Sequence, residues 1–280
     1  MWVGVSGRVL RTEAGRIRLG WRLLTFVVVA LCLTIALGLL LPSHLVSGSF
    51  ALLVGSCVAG WMLLASEGRA PAALGFHASP GGGSELGVGL GLGIGVALLA
   101  VTGLWMTGTV HWVAEPGTAG GWLGGAGAAL AVLALPAAAE EALLRGYPLQ
   151  ALAEAWGVGR ALLVTSTAFA LAHLGNPGIT TLALVNIGLA GLWLGLVWVR
   201  TGSLWWATGA HLGWNWGSAY IADLPVSGLE LFDAPFYEAS MSGPEWVGGG
   251  AFGPEGSVLT TLTLGAASWW CWKTDRLRAS

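Results

Sequence analysis

The chain has 280 residues, of which 55% are hydrophobic and 9% are charged, and its formal net charge is −2. In a soluble domain, about a quarter of all residues are usually charged. The few charged residues of this chain cannot cover a water-facing surface. The composition therefore excludes an ordinary soluble protein and predicts an integral protein of the lipid bilayer. We expect no nucleic-acid partner.

Eight apolar runs without charge follow one another, at residues 23–41, 45–66, 86–110, 121–139, 161–172, 179–199, 203–222 and 257–272. Most reach the roughly 20 residues that a helix needs to cross the hydrocarbon core. The runs beginning near residues 161 and 203 are shorter or interrupted by histidine. We still expect both to be membrane helices, because the residues that flank them are compatible with helix ends. The first run exceeds the apolar stretch of a secretory signal, about 7 to 15 residues, so we expect an uncleaved helix. The predicted fold is all-α, a polytopic transmembrane helical bundle of about eight helices.

The basic residues predict the orientation of these helices. If successive helices alternate in direction, one side of the membrane receives Arg8, Arg11, Arg16, Arg18, Arg22, Arg69, Arg160, Arg200, Lys273, Arg276 and Arg278. The opposite loops carry no Lys or Arg, and the long one at residues 223–256 has six acidic residues. Because basic loops stay in the cytoplasm, we expect a multi-pass protein of the cell membrane with both termini cytoplasmic. Arg145 alone lies inside an apolar region.

Residues 68–85 are rich in Gly, Pro and Ala and are typical of a linker. We expect the linker to separate an N-terminal part, residues 1–67, from a helical bundle at residues 86–280. Within that bundle, Gly87, Gly91 and Gly95 recur every four residues. No strand precedes them, which argues against a nucleotide-binding loop, and the spacing predicts close approach of another helix.

Six polar side chains interrupt the apolar runs: Glu140, Glu141, Arg145, His173, His211 and Asn215. An ionisable group in the middle of a membrane costs several kcal/mol and is a functional hypothesis by default. Interhelical hydrogen bonding without chemistry is the alternative interpretation. It is less favoured here because satisfying all six groups without water or substrate needs an unusually complete network. Asn186 is expected only to bond another helix.

Helical spacing predicts how these side chains are grouped. Glu141 and Arg145 are four residues apart and can pair on one face, whereas Glu140 is turned about 100 degrees away. We expect the pair to hold the helix in register and Glu140 to face a cavity as a base. His211 and Asn215 have the same spacing and project together. Phe169 and His173 share this spacing on the preceding polar helix, and we expect Phe169 to pack and His173 to reach inward.

These residues form the motifs EExxxR (Glu140, Glu141, Arg145), FxxxH (Phe169, His173) and HxxxN (His211, Asn215). In this order, on helices, they resemble the CAAX-protease and bacteriocin-processing (CPBP) family, which includes type II CAAX prenyl endopeptidases. The resemblance is sharpest over residues 136–222 and places a motif core at about residues 121–222 of a catalytic bundle. It implies hydrolysis of a membrane-tethered peptide or protein, by CAAX-like or bacteriocin leader-peptide processing.

The resemblance also implies roles for single residues. Glu140 is the general base, His173 helps to position the water, and His211 with Asn215 stabilises the oxyanion. The family is commonly called metalloproteases, and Glu140, His173 and His211 could be three ligands of a catalytic zinc. The chain has no HExxH motif, and His211 cannot be both ligand and oxyanion donor, so the metal-free glutamate mechanism is preferred over zinc.

Two other functions share parts of this pattern. A peptide-binding or immunity protein would keep the motifs and the cavity without cutting, so only turnover separates it from a peptidase. A transporter or proton relay also places carboxylates and histidines in the membrane, but the sequence lacks an inverted pair of broken helices.

Overall fold

The computed structural model describes residues 10–12, 15–78, 81–275 and 277. Within these residues, nine helices have ten or more residues: α1 (Leu19–Leu40), α2 (Leu45–Ser66), α3 (Gly82–Met106), α4 (Ala119–Glu141), α5 (Tyr147–Trp156), α6 (Val158–Ala172), α7 (Thr181–Thr201), α8 (Leu204–Trp216) and α9 (Val258–Lys273). Two short strands are β1 (Val110–Ala114) and β2 (Tyr237–Met241). Arg8, Arg276 and Arg278, which the orientation prediction uses, lie outside the described residues.

All eight predicted runs are largely helical, so the prediction of an all-α polytopic bundle is confirmed. Among the described residues, five helical segments are long and apolar enough to cross a membrane: Leu19–Leu40, Leu45–Ser66, Gly82–Met106, Ala119–Trp156, which runs from α4 through α5, and Thr181–Thr201. Helix α6 is apolar but shorter, and α8 and α9 have 13 and 16 residues. The protein is a multi-pass membrane protein, and the number of complete spans stays a prediction.

The fourth helical region extends well beyond the predicted end at residue 139. After α4 the chain continues through a π-helical turn, Ala142–Gly146, directly into α5. The sequence pattern does not predict this continuation, because Glu140, Glu141 and Arg145 end the apolar run. The structure keeps Glu141 and Arg145 inside the protein, where they do not interrupt the helix.

Helices α3 and α8 pack closely through glycines that the sequence analysis did not select. An added Cβ at Gly93 would lie 2.0 Å from the Ala210 carbonyl oxygen, whereas one at Gly91 would meet no heavy atom within 4 Å. An added Cβ at Gly89 would likewise clash with α8, whereas one at Gly87 or Gly95 would meet no heavy atom within 4 Å. On α8, Gly209 and Gly213 form the surface that contacts α3. The prediction of close approach at Gly87, Gly91 and Gly95 was therefore wrong. Glycine occupies every second position here, so a four-residue repeat fits two faces, and the partner helix determines which face is used.

One end of the bundle holds ion pairs that join residues in and beside α1 and α2 to one another and to Glu154 of α5. Arg22 lies 2.8 Å from Glu67, and Glu154 lies 3.0 Å from Arg16 and 3.1 Å from Arg69. The predicted linker is packed rather than free, because the side chain of its Leu74 is fully buried.

At the other end, β1 pairs with β2 in antiparallel register, from Val110 opposite Met241 to Ala114 opposite Tyr237. The pattern of basic residues predicts that these two segments lie on one side of the membrane, and both are expected to be loops. Their strand pairing was not predicted because the partners are far apart in sequence and each strand has only five residues. The pairing joins the loop before α4 to the long acidic segment before α9.

Candidate active site

The junction of α4 and α5 holds a fully buried ion pair. Arg145 Nη1 donates to Glu141 Oε1 over 3.1 Å, and both side chains have zero exposure. Arg145 Nη2 donates to the Gly191 carbonyl of α7 over 2.9 Å, and its Cζ lies 4.6 Å from the ring centroid of Phe169 on α6. Each partner lowers the burial penalty of the other, and Arg145 joins three helices at this point.

His211 of α8 contacts both adjacent carboxylates. Its Nδ1 lies 3.0 Å from Glu141 Oε1, and its Nε2 lies 3.8 Å from Glu140 Oε2. A carboxylate only accepts hydrogen bonds, so Nδ1 carries the proton that Glu141 binds. Glu141 therefore fixes the orientation of the imidazole, and the other nitrogen is directed toward Glu140.

His173 is held by its own helix. Its Nδ1 donates to the Phe169 carbonyl over 2.8 Å, which leaves Nε2 of the neutral ring as an acceptor. The Phe169 ring lies 4.7 Å from the His173 ring and 5.8 Å from the His211 ring, in an edge arrangement with the latter. Phe169 thus packs against buried Arg145 and against both histidines.

These side chains surround one cavity of about 370 Å³. Glu140, His173, His211 and Asn215 all line it, while Glu141 and Arg145 do not. The Glu140 side chain keeps 31% of its exposure, in contrast to the fully buried Glu141. The cavity therefore brings the candidate base, both imidazoles and the amide together. The Glu141–Arg145 ion pair is buried in the protein and does not line the cavity. The catalytic roles of these residues stay predictions.

Both helices that carry the central side chains end in a π-helical turn. Ala142–Gly146 follows Glu140 and Glu141, and Gly217–Ile221 follows α8 after Asn215. Single π-turns within helices occur frequently at functional sites because they change the direction of neighbouring side chains. Their positions next to the cavity are consistent with a site built at these two helix ends.

The cavity also contains a carboxylate that the sequence analysis did not select. Glu255 is 5% exposed and lines the cavity together with Asn176, Trp214 and Ser227. Trp214 Nε1 donates to Glu255 Oε1 over 3.0 Å. Glu255 lies in the long acidic segment, and no sequence spacing connects it to partners on α8 or in the loop after α6.

Asn186 behaves as the sequence analysis expected. Its Nδ2 donates to the carbonyl oxygens of Glu255 and Ser257, and its Oδ1 accepts from Thr261 of α9. These bonds fix the start of α9 against α7 and hold the backbone at Glu255.

The predicted zinc ligands do not converge in this arrangement. Zinc binds ligand atoms at about 2.0–2.3 Å in a tetrahedron, so its donors lie within a few ångströms of one another. In the described part of the chain, one set of three carboxylate, His or Cys donors lies within 4.8 Å of one another, namely Glu115, Asp233 and Glu238, which are exposed. Glu140, His173 and His211 do not form such a set, and we derive no catalytic step through a metal.

The fold and the cavity together define a helical membrane protein with a buried carboxylate–histidine site. Residues 122–217 match the family model described as type II CAAX prenyl endopeptidase Rce1-like. The matched segment contains all seven motif residues, and the match confirms the resemblance to the CPBP family. The activity class that this family implies is a membrane endopeptidase, a peptide-bond hydrolase. No curated protein matches the sequence significantly.

Proposed function

We propose that this protein is an intramembrane endopeptidase that hydrolyses a peptide bond of a membrane-associated peptide or protein by a metal-free glutamate mechanism. The observation that carries the proposal is the shared cavity of Glu140, His173, His211 and Asn215. A carboxylate beside two oriented imidazoles and an amide supplies a base and hydrogen-bond groups for water and a carbonyl.

In this mechanism Glu140 removes a proton from a water molecule while the water oxygen attacks the substrate carbonyl carbon. His173 accepts a hydrogen bond from the same water through Nε2, because Nδ1 is bonded to the Phe169 carbonyl. The Asn215 amide and protonated His211 donate to the oxyanion of the tetrahedral intermediate. Glu140 then passes its proton to the leaving amine as the carbon–nitrogen bond breaks.

Glu141 and Arg145 support this chemistry without touching the substrate. Glu141 binds Nδ1 of His211, so a proton on the opposite nitrogen points toward the cavity side where Glu140 lies. Arg145 balances the charge of Glu141 in the protein interior. Loss of this support changes the orientation of His211 rather than the base itself.

The proposed location is the cell membrane, with both termini in the cytoplasm. It is supported by the basic residues of the tail, the linker and the last helix, and by the absence of Lys and Arg from residues 223–256, because basic residues favour the cytoplasmic side. The proposed substrates are CAAX-like proteins or leader peptides of bacteriocin type. A cavity among membrane helices with both apolar and polar lining residues fits both, because both present a peptide bond next to the membrane.

The experiment is cleavage of a membrane-tethered peptide library by the purified protein in lipid vesicles, read by mass spectrometry. We expect specific cleavage by the wild type and none by Glu140→Gln, since a general base contributes about 10²–10⁴-fold to the rate. Glu245→Gln, the same chemical change at an exposed residue of the acidic segment, should keep full activity. Full activity of folded Glu140→Gln would remove the base assignment.

The same sample distinguishes the other interpretations. Stoichiometric zinc, with activity lost on chelation and restored by zinc, would favour the metal mechanism over the one proposed here. Peptide binding without turnover would indicate an immunity or binding protein. Ion or proton flux in the vesicles, without cleavage, would indicate a transporter.

A further inference from the structure

The segment between α8 and β2 forms a thin roof over the catalytic cavity. Val226, Ser227, Leu229 and Leu231 line that cavity. Neighbouring residues of the same segment, including Leu224, Pro225, Glu230 and Phe232, line a second cavity on the outer side. A single layer of chain, which we call the roof (residues 224–232), therefore separates the two spaces.

The centre of the roof is a tight two-residue turn. Val226 and Leu229 exchange backbone hydrogen bonds of 3.0 and 2.9 Å, and Ser227 and Gly228 have φ values of +52° and +79°. Two successive positive φ values are typical of a type I′ turn. Serine rarely adopts this conformation, which persists only when surrounding contacts hold it.

Glu255 provides the main contacts that hold the turn. Its Oε2 accepts from the Ser227 backbone N–H over 2.6 Å and from Ser227 Oγ over 2.9 Å, while Oε1 accepts from Trp214. The Ser227 carbonyl accepts from Asn176 Nδ2 over 3.0 Å. Trp214 adjoins Asn215 in the chain, and Asn176 lies three residues after His173, so the roof is fixed to the elements that carry the candidate catalytic residues.

The turn also has no room to move toward its neighbours. Gly228 N–H donates to the Phe252 carbonyl over 3.1 Å, and a Cβ at Gly228 would lie 1.9 Å from the Pro177 carbonyl oxygen. The roof is therefore held on several sides by contacts to Phe252, Pro177, Asn176 and Glu255.

We propose that the roof is the specificity-determining wall of the site, that it accepts an apolar substrate side chain next to the scissile bond, and that Glu255 is its positioning residue. This inference rests on the proposed function. Val226, Leu229 and Leu231 give the cavity an apolar face, while the groups that would bind water and the carbonyl lie on other elements. A rigid apolar wall selects side chains by size, and one methylene changes such selection by about 10- to 200-fold.

The test is a series of tethered peptides that the wild type cuts, differing only in the residue beside the scissile bond, from Ala through Val and Leu to Phe. We expect Leu229→Ala to shift the ratio of kcat/KM toward the larger residues by about 10-fold or more. Glu255→Gln keeps the size of the side chain but places an amide N–H against either the Ser227 or the Trp214 donor. Glu255→Gln should reduce the differences in kcat/KM between the peptides of the series. The variant that combines Leu229→Ala with Glu255→Gln should change the size preference less than the sum of the two single effects.

Glu245→Gln is the matched control, because it makes the same change at an exposed residue of the same segment and should keep the wild-type profile. If Glu255→Gln does not fold, Ser227→Gly tests the Glu255–Ser227 contact instead, since glycine retains the positive φ and removes the Oγ bond. A lower melting temperature with an unchanged size profile, both in Leu229→Ala and in the variant that breaks the Glu255–Ser227 contact, would overturn the inference and leave the peptidase intact. A wild type that cuts no peptide would overturn the proposed function, and this inference with it.

Discussion

Replacement of Gly93 by alanine tests how the α3–α8 contact positions the site. An alanine Cβ at this position would lie 2.0 Å from the Ala210 carbonyl oxygen and 2.7 Å from the Trp214 backbone nitrogen. Ordinary contact begins at 3.4 Å, so the Cβ and the Ala210 oxygen must separate by about 1.4 Å. Both neighbouring atoms belong to backbone, and a side-chain rotation cannot relieve the clash.

The displaced backbone carries the candidate catalytic groups. Ala210 precedes His211 and Trp214 precedes Asn215, so a shift of α8 moves both side chains relative to Glu140. Overpacking of this kind usually destabilises a protein by about 1–3 kcal/mol. Misplacement of reacting groups by about 1 Å can lower a rate about 100-fold. We therefore expect Gly93→Ala to be less stable and about 100-fold less active.

Gly91→Ala is the matched control, because its Cβ would meet no heavy atom within 4 Å. Alanine has a higher helix propensity than glycine by about 1 kcal/mol, so we expect Gly91→Ala to be neutral or slightly stabilised and fully active. The assays are denaturant unfolding in detergent micelles and cleavage of a tethered peptide in vesicles. Equal stability and equal activity of the two alanine variants would refute the packing argument.

Two further predictions concern charge. Arg145→Met removes the arginine from the buried pair and leaves Glu141 with its His211 contact. The free energy of unfolding should fall by about 3–5 kcal/mol. Glu141→Gln in the same chain should restore most of this loss, and a loss below about 1 kcal/mol in the single variant would contradict the pairing. Asp223 raises the pKa of Glu238 above its usual value. Ionised Glu238 therefore destabilises the fold near neutral pH, and this effect disappears as the pH falls. Glu238→Gln should raise the melting temperature in neutral buffer, and by less in mildly acidic buffer or in neutral buffer with high salt. An equal rise of the melting temperature in all three buffers would contradict this.

The helices and the motif residues could be predicted from the sequence because both depend on local chemistry. An apolar run must form a helix in lipid, since its backbone groups have no other partners there. A buried Glu, Arg or His is costly in the membrane, so Glu140, Arg145 and His173 stand out against their apolar neighbours. Their helical spacing also predicts the Glu141–Arg145 pair that the structure contains.

Features that depend on contacts between distant segments could not be predicted in the same way. The choice between Gly91 and Gly93 depends on which face α8 covers, and both positions satisfy the same repeat. The bond from Glu141 to His211 joins residues on different helices and changes the role of Glu141 from helix register alone to orientation of the imidazole. Glu255 could not be distinguished from the other acidic residues of its segment, because its burial and its bonds to Trp214 and Ser227 depend on contacts between distant segments.

Activation of water by Glu140 for peptide-bond hydrolysis inside the membrane can be followed with an isotope. The measurement is a single-turnover reaction of the vesicle-reconstituted protein with a tethered peptide in ¹⁸O-labelled water. We expect one ¹⁸O atom in the new carboxyl group with the wild type and no product above background with folded Glu140→Gln. Labelled product formed by Glu140→Gln at the wild-type rate would contradict this mechanism.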